Sequence, residues 1–408
     1  MSKTIALAGT FDSKGKEFQY VKELIESLGF QTLTIHTGVF DPVFPPDVSN
    51  TEVFVAAGED KQQIVAAKDR AHATLVLSKG MELLLPKLYD EGKFDGILSF
   101  GGTGGTSIVT PGMRALPIGV PKVMVSTVAS GNTEPYVGTS DIMMYPSIVD
   151  VAGLNSISTK IFTNAVFAIA GMLTYENKTT IEKKPLIAAT MFGLTTPCIN
   201  YAKAYLEKQG YETLIFHATG VGGRTMENLI ENGFIKGVLD LTTTEWADEL
   251  FGGVLAAGPH RLEAAAKHRI PQVVSVGAMD MVNFGPYDTV PKHYAGRNFY
   301  RHNPTVTLMR TSVEENKQIG EAIAAKLNKA EGDTALILPL KGLSGLDVKG
   351  QDFYGPEEDT MLFDTLKEKV DRSKVQLIEL DNVINDKAFA EAAAEKLIQL
   401  METKKGEN

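Results

Sequence analysis

A chain of 408 residues with 43% hydrophobic and 22% charged residues has an ordinary globular composition, and its length calls for two or three domains of about 100–200 residues each. A formal net charge of −10 argues against a protein that wraps nucleic acid, because backbone phosphates demand basic surface. The single cysteine, Cys198, cannot form an internal disulfide. No apolar run nears the ~20 residues that span a bilayer, and the amino terminus enters a strand-like segment without a secretory signal, so the expected location is the cytoplasm.

The first predicted element is a buried strand over 5–8, an unbroken apolar run. It opens into GTFDSKGK at 9–16, where Thr10, Asp12 and Lys14 are placed to meet a phosphate or orient a hydroxyl. The alternative is that Asp12 or Ser13 caps the next helix. That helix sets Phe18, Val21, Leu24, Ile25 and Leu28 on one face, with Gly29 where a C-cap belongs. A strand over 32–35 closes the β-α-β unit and leads to His36, a position that suits an acid–base group or simple packing.

A strand over 94–100 runs into SFGGTGGTS at 99–107. Glycines let backbone N–H groups approach an anion, and a helix beginning within 106–110 adds its positive end. Gly101, Gly102, Thr103, Gly104, Gly105 and Thr106 are therefore candidate nucleotide ligands; the competing reading is a plain tight turn. The motif is neither a Walker A loop nor a full GxGxxG. A strand over 119–126 feeds a hydroxyl-rich loop, where Ser126, Gly131, Asn132 and Asp141 complete the nucleotide-binding set.

After a polar stretch at 175–184 the pattern restarts. With Phe11 aligned to Phe192, Gly29, Phe30 and His36 fall in step with Gly210, Tyr211 and His217, without a gap. This marks an internal duplication. The second copy has other loops: TGVGGR ending at Arg224, TTTE ending at Glu245 in place of the glycine loop, and GAMDMVN containing Asp280. Arg297, Arg301 and His302 fall in a polar, irregular stretch before a strand over 305–309. Together these residues suit a small anionic substrate, although solvated surface arginines explain the same pattern. The tail adds strands over 335–338 and 375–380, helices, and a loop with Lys341 and Ser344 that reads as a lid or a connection. No HExxH or Cys/His cluster predicts a metal site, and no GxSxG elbow predicts a serine hydrolase.

Five blocks, GTFDSKGKE at 9–17, GGTGGTS at 101–107, GNTEPYVGTSDI at 131–142, PQVVSVGAMDMVNFG at 271–285 and HNPTVTLMRT at 302–311, resemble an ATP-binding family. It is related to the plant protein that confers tomato mosaic virus resistance and includes uncharacterised bacterial proteins. The resemblance implies two Rossmann-like lobes, ATP as the ligand (with magnesium as its companion ion) and a homodimer. The plant relative's inhibitory binding of a viral replication protein is not carried over to this shorter chain.

The expected fold is α/β, with two Rossmann-like lobes of parallel sheet related by internal duplication: a nucleotide-binding lobe over 1–180 and a second lobe over 181–408. Three functions compete. One is a nucleotide-binding protein, or an enzyme acting on a small anionic substrate between the lobes. The second is an enzyme of small carboxylates or sugar acids that uses no nucleotide. The third is a non-catalytic partner-binding module.

Overall fold

The computed structural model describes residues 2–175 and 184–406. Most of the polar stretch at 175–184 lies outside the described residues. The chain divides into two compact units, Met1–Thr180 and Ile181–Asn408.

In the first unit the elements are β1 (Thr4–Gly9), α1 (Gly15–Ser27), β2 (Gln31–His36), α2 (Asn50–Ala56), α3 (Lys61–Ala67), α4 (Arg70–Asp90), β3 (Gly96–Gly101), α5 (Thr103–Ala115), β4 (Lys122–Ser126), α6 (Glu134–Val137), β5 (Met143–Pro146) and α7 (Ser158–Thr174). All five strands are parallel, in the order β2-β1-β3-β4-β5. The apolar run of β1 serves two cores, as a sheet covered on both faces requires. Ile5 and Leu7 pack with Phe18, Val21 and Ile25 of α1 and Phe162 and Val166 of α7. Ala6 and Ala8 point the other way, toward Leu77 and Met81 of α4 and Val109 of α5.

Both α4 and α5 lead back to a parallel strand, so they run in the same direction. Gly112 lets them touch, since a Cβ there would lie 2.6 Å from the Met81 carbonyl oxygen. This close contact fixes α5, and with it the glycine-rich turn from which α5 starts.

The second unit contains β6 (Leu186–Met191), α8 (Thr196–Lys208), β7 (Glu212–His217), α9 (Val221–Glu231), β8 (Ile235–Thr242), α10 (Glu245–Phe251), α11 (Ala264–Lys267), β9 (Gln272–Gly277), β10 (Met281–Phe284), β11 (Phe299–Asn303), β12 (Val306–Arg310), α12 (Val313–Leu327), β13 (Thr334–Pro339), α13 (Pro356–Lys369), β14 (Val375–Leu380) and α14 (Lys387–Gly406). Its main sheet is parallel, in the order β7-β6-β8-β9-β13-β14. The first five positions repeat the strand order of the first unit. Gly29 and Gly210 both follow a helix with φ of 86° and 85°, the left-handed conformation that ends a helix and favours glycine. The tail adds β13 and β14 to this sheet.

The stretch before the expected strand at 305–309 is not irregular. Residues 299–303 form β11, which pairs antiparallel with β12, and β12 pairs with β10 in a separate three-stranded sheet. Its side chains alternate between two cores, Met281 and Leu308 on one side and Val282, Phe284 and Met309 on the other. Among the described residues no helix is long and apolar enough to cross a membrane.

Replacing Gly112 by alanine should push α5 off α4. The expected loss is about 1–3 kcal/mol, the usual range for overpacking, read as a lowered midpoint in urea unfolding.

Candidate functional site

A parallel sheet in the order 2-1-3-4-5 reverses its winding between the first and third strands, and ligands gather outside the carboxyl ends of the strands at that reversal. In the first unit the reversal falls between β1 and β3. Their exits are the loop beginning at Thr10 and the glycine loop.

The glycine loop is more helical than expected. The helix does not wait for Thr106; α5 begins at Thr103, with Gly102 as its N-cap and no side chain capping it. The first amides of a helix have no carbonyl within the helix to bond. Thr106 is spent on holding the turn. Its amide and hydroxyl both donate to the Gly102 carbonyl, at 3.0 and 2.9 Å. Its Oγ1 lies 2.7 Å from Ser126 Oγ, and the Thr127 amide donates to the Gly101 carbonyl. The exits of β3 and β4 are thus tied together, with Thr106 and Ser126 buried beneath the turn.

Gly104 and Gly105 are not demanded by this fold. A Cβ on either would meet nothing nearer than 3.9 Å, and neither has positive φ. Glycine in a helix costs roughly 0.5–1 kcal/mol relative to alanine. An open surface over uncapped amides is the arrangement that lets an anion approach. One charged group also stands there. The nearest atom to a Cβ on Gly104 would be Arg70 Nη2, at 4.0 Å. Arg70 opens α4, and the parallel packing of α4 on α5 brings both helix amino termini to the same edge. Nothing in the local sequence marks Arg70, because it is joined to the loop only through tertiary packing.

The remaining nucleotide-set residues scatter. Thr10 accepts from Ser13 Oγ at the exit of β1. Asp12 accepts from the Phe40 amide and packs beside Gly38, on the β2 side. Neither Asp12 nor Ser13 caps α1, which has no side-chain cap. Lys14 donates to the Val151 carbonyl. Gly131 and Asn132 are exposed in the loop after β4, where Asn132 accepts from the Glu134 amide. Asp141 is at the wrong end of the sheet. It pairs with Lys122 and accepts from the Gly119 amide, at the start of β4, because the chain has crossed back to begin β5.

His36 is fully buried. Its Nδ1 accepts from the Phe11 and Gly38 amides, which leaves the Nε2–H to donate to the Phe40 carbonyl at 2.8 Å. Both nitrogens are engaged in holding loops, so this is a packing histidine. Its counterpart His217 is exposed.

The second unit fills its anion positions from within. The Glu245 carboxylate accepts from the Gly220 and Gly223 amides at 2.7 and 3.1 Å, at the amino end of α9. Two amides of the TGVGGR loop are thus taken by Glu245, which is buried. These glycines are also required by packing. A Cβ on Gly222 would lie 1.7 Å from the His217 carbonyl oxygen, and one on Gly223 2.3 Å from Glu245 Oε2. Arg224 lies on α9 itself.

Behind Glu245 stands Arg261, which the sequence reading missed. Its guanidinium is fully buried, bonding Glu245 through Nε at 2.7 Å and Asp240 through both terminal nitrogens, with Glu227 at 3.3 Å. Burial raises the Glu227 and Glu245 carboxyls despite the opposing Arg261 charge. Nearby, burial pushes Asp248 up to about 7, although the Asn283 and Leu255 amides donate to it.

The other substrate candidates do not converge. Arg297 makes a two-point pair with Glu315 at 2.9 and 2.6 Å. Arg301 and His302 are exposed on β11, with the Arg301 guanidinium 3.9 Å from the Tyr287 ring centre. Asp280 is fully buried and accepts from Ser344 Oγ at 2.7 Å. The Leu340–Asp347 segment is thus a locked connection rather than a lid. Ser344 is buried, and Lys341 pairs with Asp381 on the surface.

Two expectations follow from the glycine contrast and the buried arginine. Gly222→Ala should destabilise by at least about 1–3 kcal/mol, whereas Gly104→Ala should leave the thermal midpoint unchanged or slightly raised. Arg261→Met should cost roughly 3–5 kcal/mol, since it strands buried carboxylates. Differential scanning calorimetry of the three variants checks both.

Comparison with known proteins matches both units. Residues 3–178 match the N-terminal domain, and residues 184–401 the C-terminal domain, of an uncharacterised protein family, UPF0261. A UPF0261 protein of Clostridium tetani is 54% identical over 98% of this chain and 100% of its own length. One from Rhizobium meliloti is 45% identical over 96% of this chain and 97% of its own. The tomato (Solanum lycopersicum) ToMV resistance protein Tm-1 is 47% identical over 81% of this chain, a region that makes up 45% of the tomato protein. A UDP-N-acetylglucosamine 2-epimerase structure from Rickettsia bellii aligns with 99% of this chain and 96% of its own at 11% identity, with a TM-score of 0.22, a likeness too low to inform function. The matches span both halves of the chain, which belongs to the UPF0261 family.

Proposed function

We propose that the first unit binds a nucleotide, ATP with magnesium foremost, with its phosphates on the amides of Thr103, Gly104 and Gly105. The observation that carries this reading is the open, uncapped amino terminus of α5 at the sheet reversal, with the Arg70 guanidinium beside Gly104. Helix amides and a guanidinium are complementary to a phosphate in both charge and geometry. Thr10 and Ser126 border the same edge. A homodimer, and turnover of a small anionic substrate, belong to the same proposal.

The carboxylate reading draws less support. Arg297 is already paired with Glu315, and the amides at the amino end of α9 already hold Glu245.

Calorimetric titration of the full chain with ATP and magnesium tests the proposal. Saturable binding is expected. Gly104→Val should abolish it while the fold survives, and Arg70→Ala should weaken it about tenfold or more, the worth of one charge-assisted hydrogen bond. No heat and no thermal shift at about millimolar ATP would overturn the reading. Phosphate release measured in the same samples separates an enzyme from a binding protein.

A further inference from the structure

The loop between β2 and α2 spends buried polar groups on presenting one exposed ring. His36, fully buried, donates through Nε2 to the Phe40 carbonyl at 2.8 Å. Asn50, also buried, reaches the Gly38, Val39 and Phe40 carbonyls from Nδ2 at 2.7, 3.3 and 3.2 Å. The Phe40 amide donates to Asp12 Oδ2 at 3.1 Å. Gly38 leaves the room for that carboxylate, since a Cβ there would lie 2.4 Å from Asp12 Oδ1. The loop's other phenylalanine, Phe44, stacks on Phe11 with ring centres 4.7 Å apart, and Phe11 stacks in turn on His36. Phe40 has no ring partner among the described residues and is 68% exposed. Its backbone is fixed while its ring is left in solvent, which forgoes the usual gain from burying an aromatic side chain.

This loop stands at the same edge of the sheet as the start of α5. Phe40 and Asp12 lie by the exits of β2 and β1, and the α5 amides and Arg70 by the exit of β3. Two strand spacings separate the exits of β2 and β3, about 10 Å, a distance that a ribose and its phosphates bridge. The two ends differ in chemistry. A guanidinium and uncapped amides suit a phosphate. A carboxylate beside an apolar ring repels a phosphate and suits an uncharged sugar and a base. Among the described residues no group donates to Asp12 Oδ1, so that oxygen is able to accept from a hydroxyl. The second unit, where Glu245 takes the helix amides, has neither part. Asp12 falls on Gly193 in the repeat, and β7 runs almost directly into α9.

We propose that Phe40 and Asp12 form the nucleoside end of the nucleotide site: the Phe40 ring stacks on the base, and the Asp12 carboxylate accepts from a ribose hydroxyl. This rests on the phosphate reading of the α5 turn. It adds what that turn cannot supply, selection of a ribonucleotide over a bare polyphosphate. Every base presents a π-face, so the ring demands a base without reading which one.

Calorimetric titrations of the full chain with magnesium and ATP, dideoxy-ATP or inorganic tripolyphosphate test this. ATP should bind the wild type more tightly than dideoxy-ATP. Phe40→Ala should weaken ATP about tenfold, the worth of one base stacked on an aromatic ring, and leave tripolyphosphate unchanged. Phe40→Trp, which keeps a planar ring, should retain ATP binding. Asp12→Asn keeps an acceptor for the Phe40 amide and should narrow the gap between ATP and dideoxy-ATP; an unchanged gap removes the ribose contact. An unchanged ATP affinity in Phe40→Ala, or equal losses of ATP and tripolyphosphate, would overturn the assignment while the phosphate site stands. Wild-type protein that binds neither ATP nor tripolyphosphate would remove the phosphate site, and this nucleoside end with it.

Discussion

The amino end of a helix at the edge of a parallel sheet carries amides that must find an acceptor. Much of the difference between the two units comes from who supplies it. At the start of α9 the acceptor is the protein's own Glu245, held by Arg261, and Gly223 leaves the room in which these two groups meet. At the start of α5 no side chain caps the amides, and a Cβ on Gly104 or Gly105 would meet nothing nearer than 3.9 Å. Duplicated architecture has thus been completed in one unit and left open in the other.

The completed unit depends on buried arginines. Arg261 joins β8, α9 and α10, while Arg310 joins the small antiparallel sheet to the connection ahead of α13. Each faces more carboxylates than it can neutralise. Such an arrangement is a poor source of net stability, because desolvation offsets most of the Coulomb gain. What it supplies is a defined geometry for the loops it joins.

In the open unit the site depends on packing some distance from it. Gly112 sets α4 against α5, and that contact brings Arg70 to Gly104. Thr106 and Ser126 lock two strand exits from below without reaching the surface. Thr106 and Ser126 therefore shape the turn, and a residue more than thirty positions upstream, Arg70, lies beside it.

The sequence by itself determined the central strands of the two parallel sheets, because a sheet covered on both faces needs unbroken apolar runs such as 5–8 and 335–338; the small antiparallel strands over 281–284 and 299–303 were not legible in it. It determined the repeat as well, since Gly29 and Gly210 meet the same left-handed helix ending. The glycine loop was legible because a strand followed by glycines and hydroxyls is a local pattern. Tertiary structure alone decided which polar residues were free. Glu245, Asp280 and Arg297 look available in the sequence, yet are engaged by Arg261, Ser344 and Glu315. Asp141 was misplaced because a loop's position in the chain does not say which end of the sheet it reaches. Pairing across long sequence separations is fixed by packing, and a linear pattern of residue types carries no record of it.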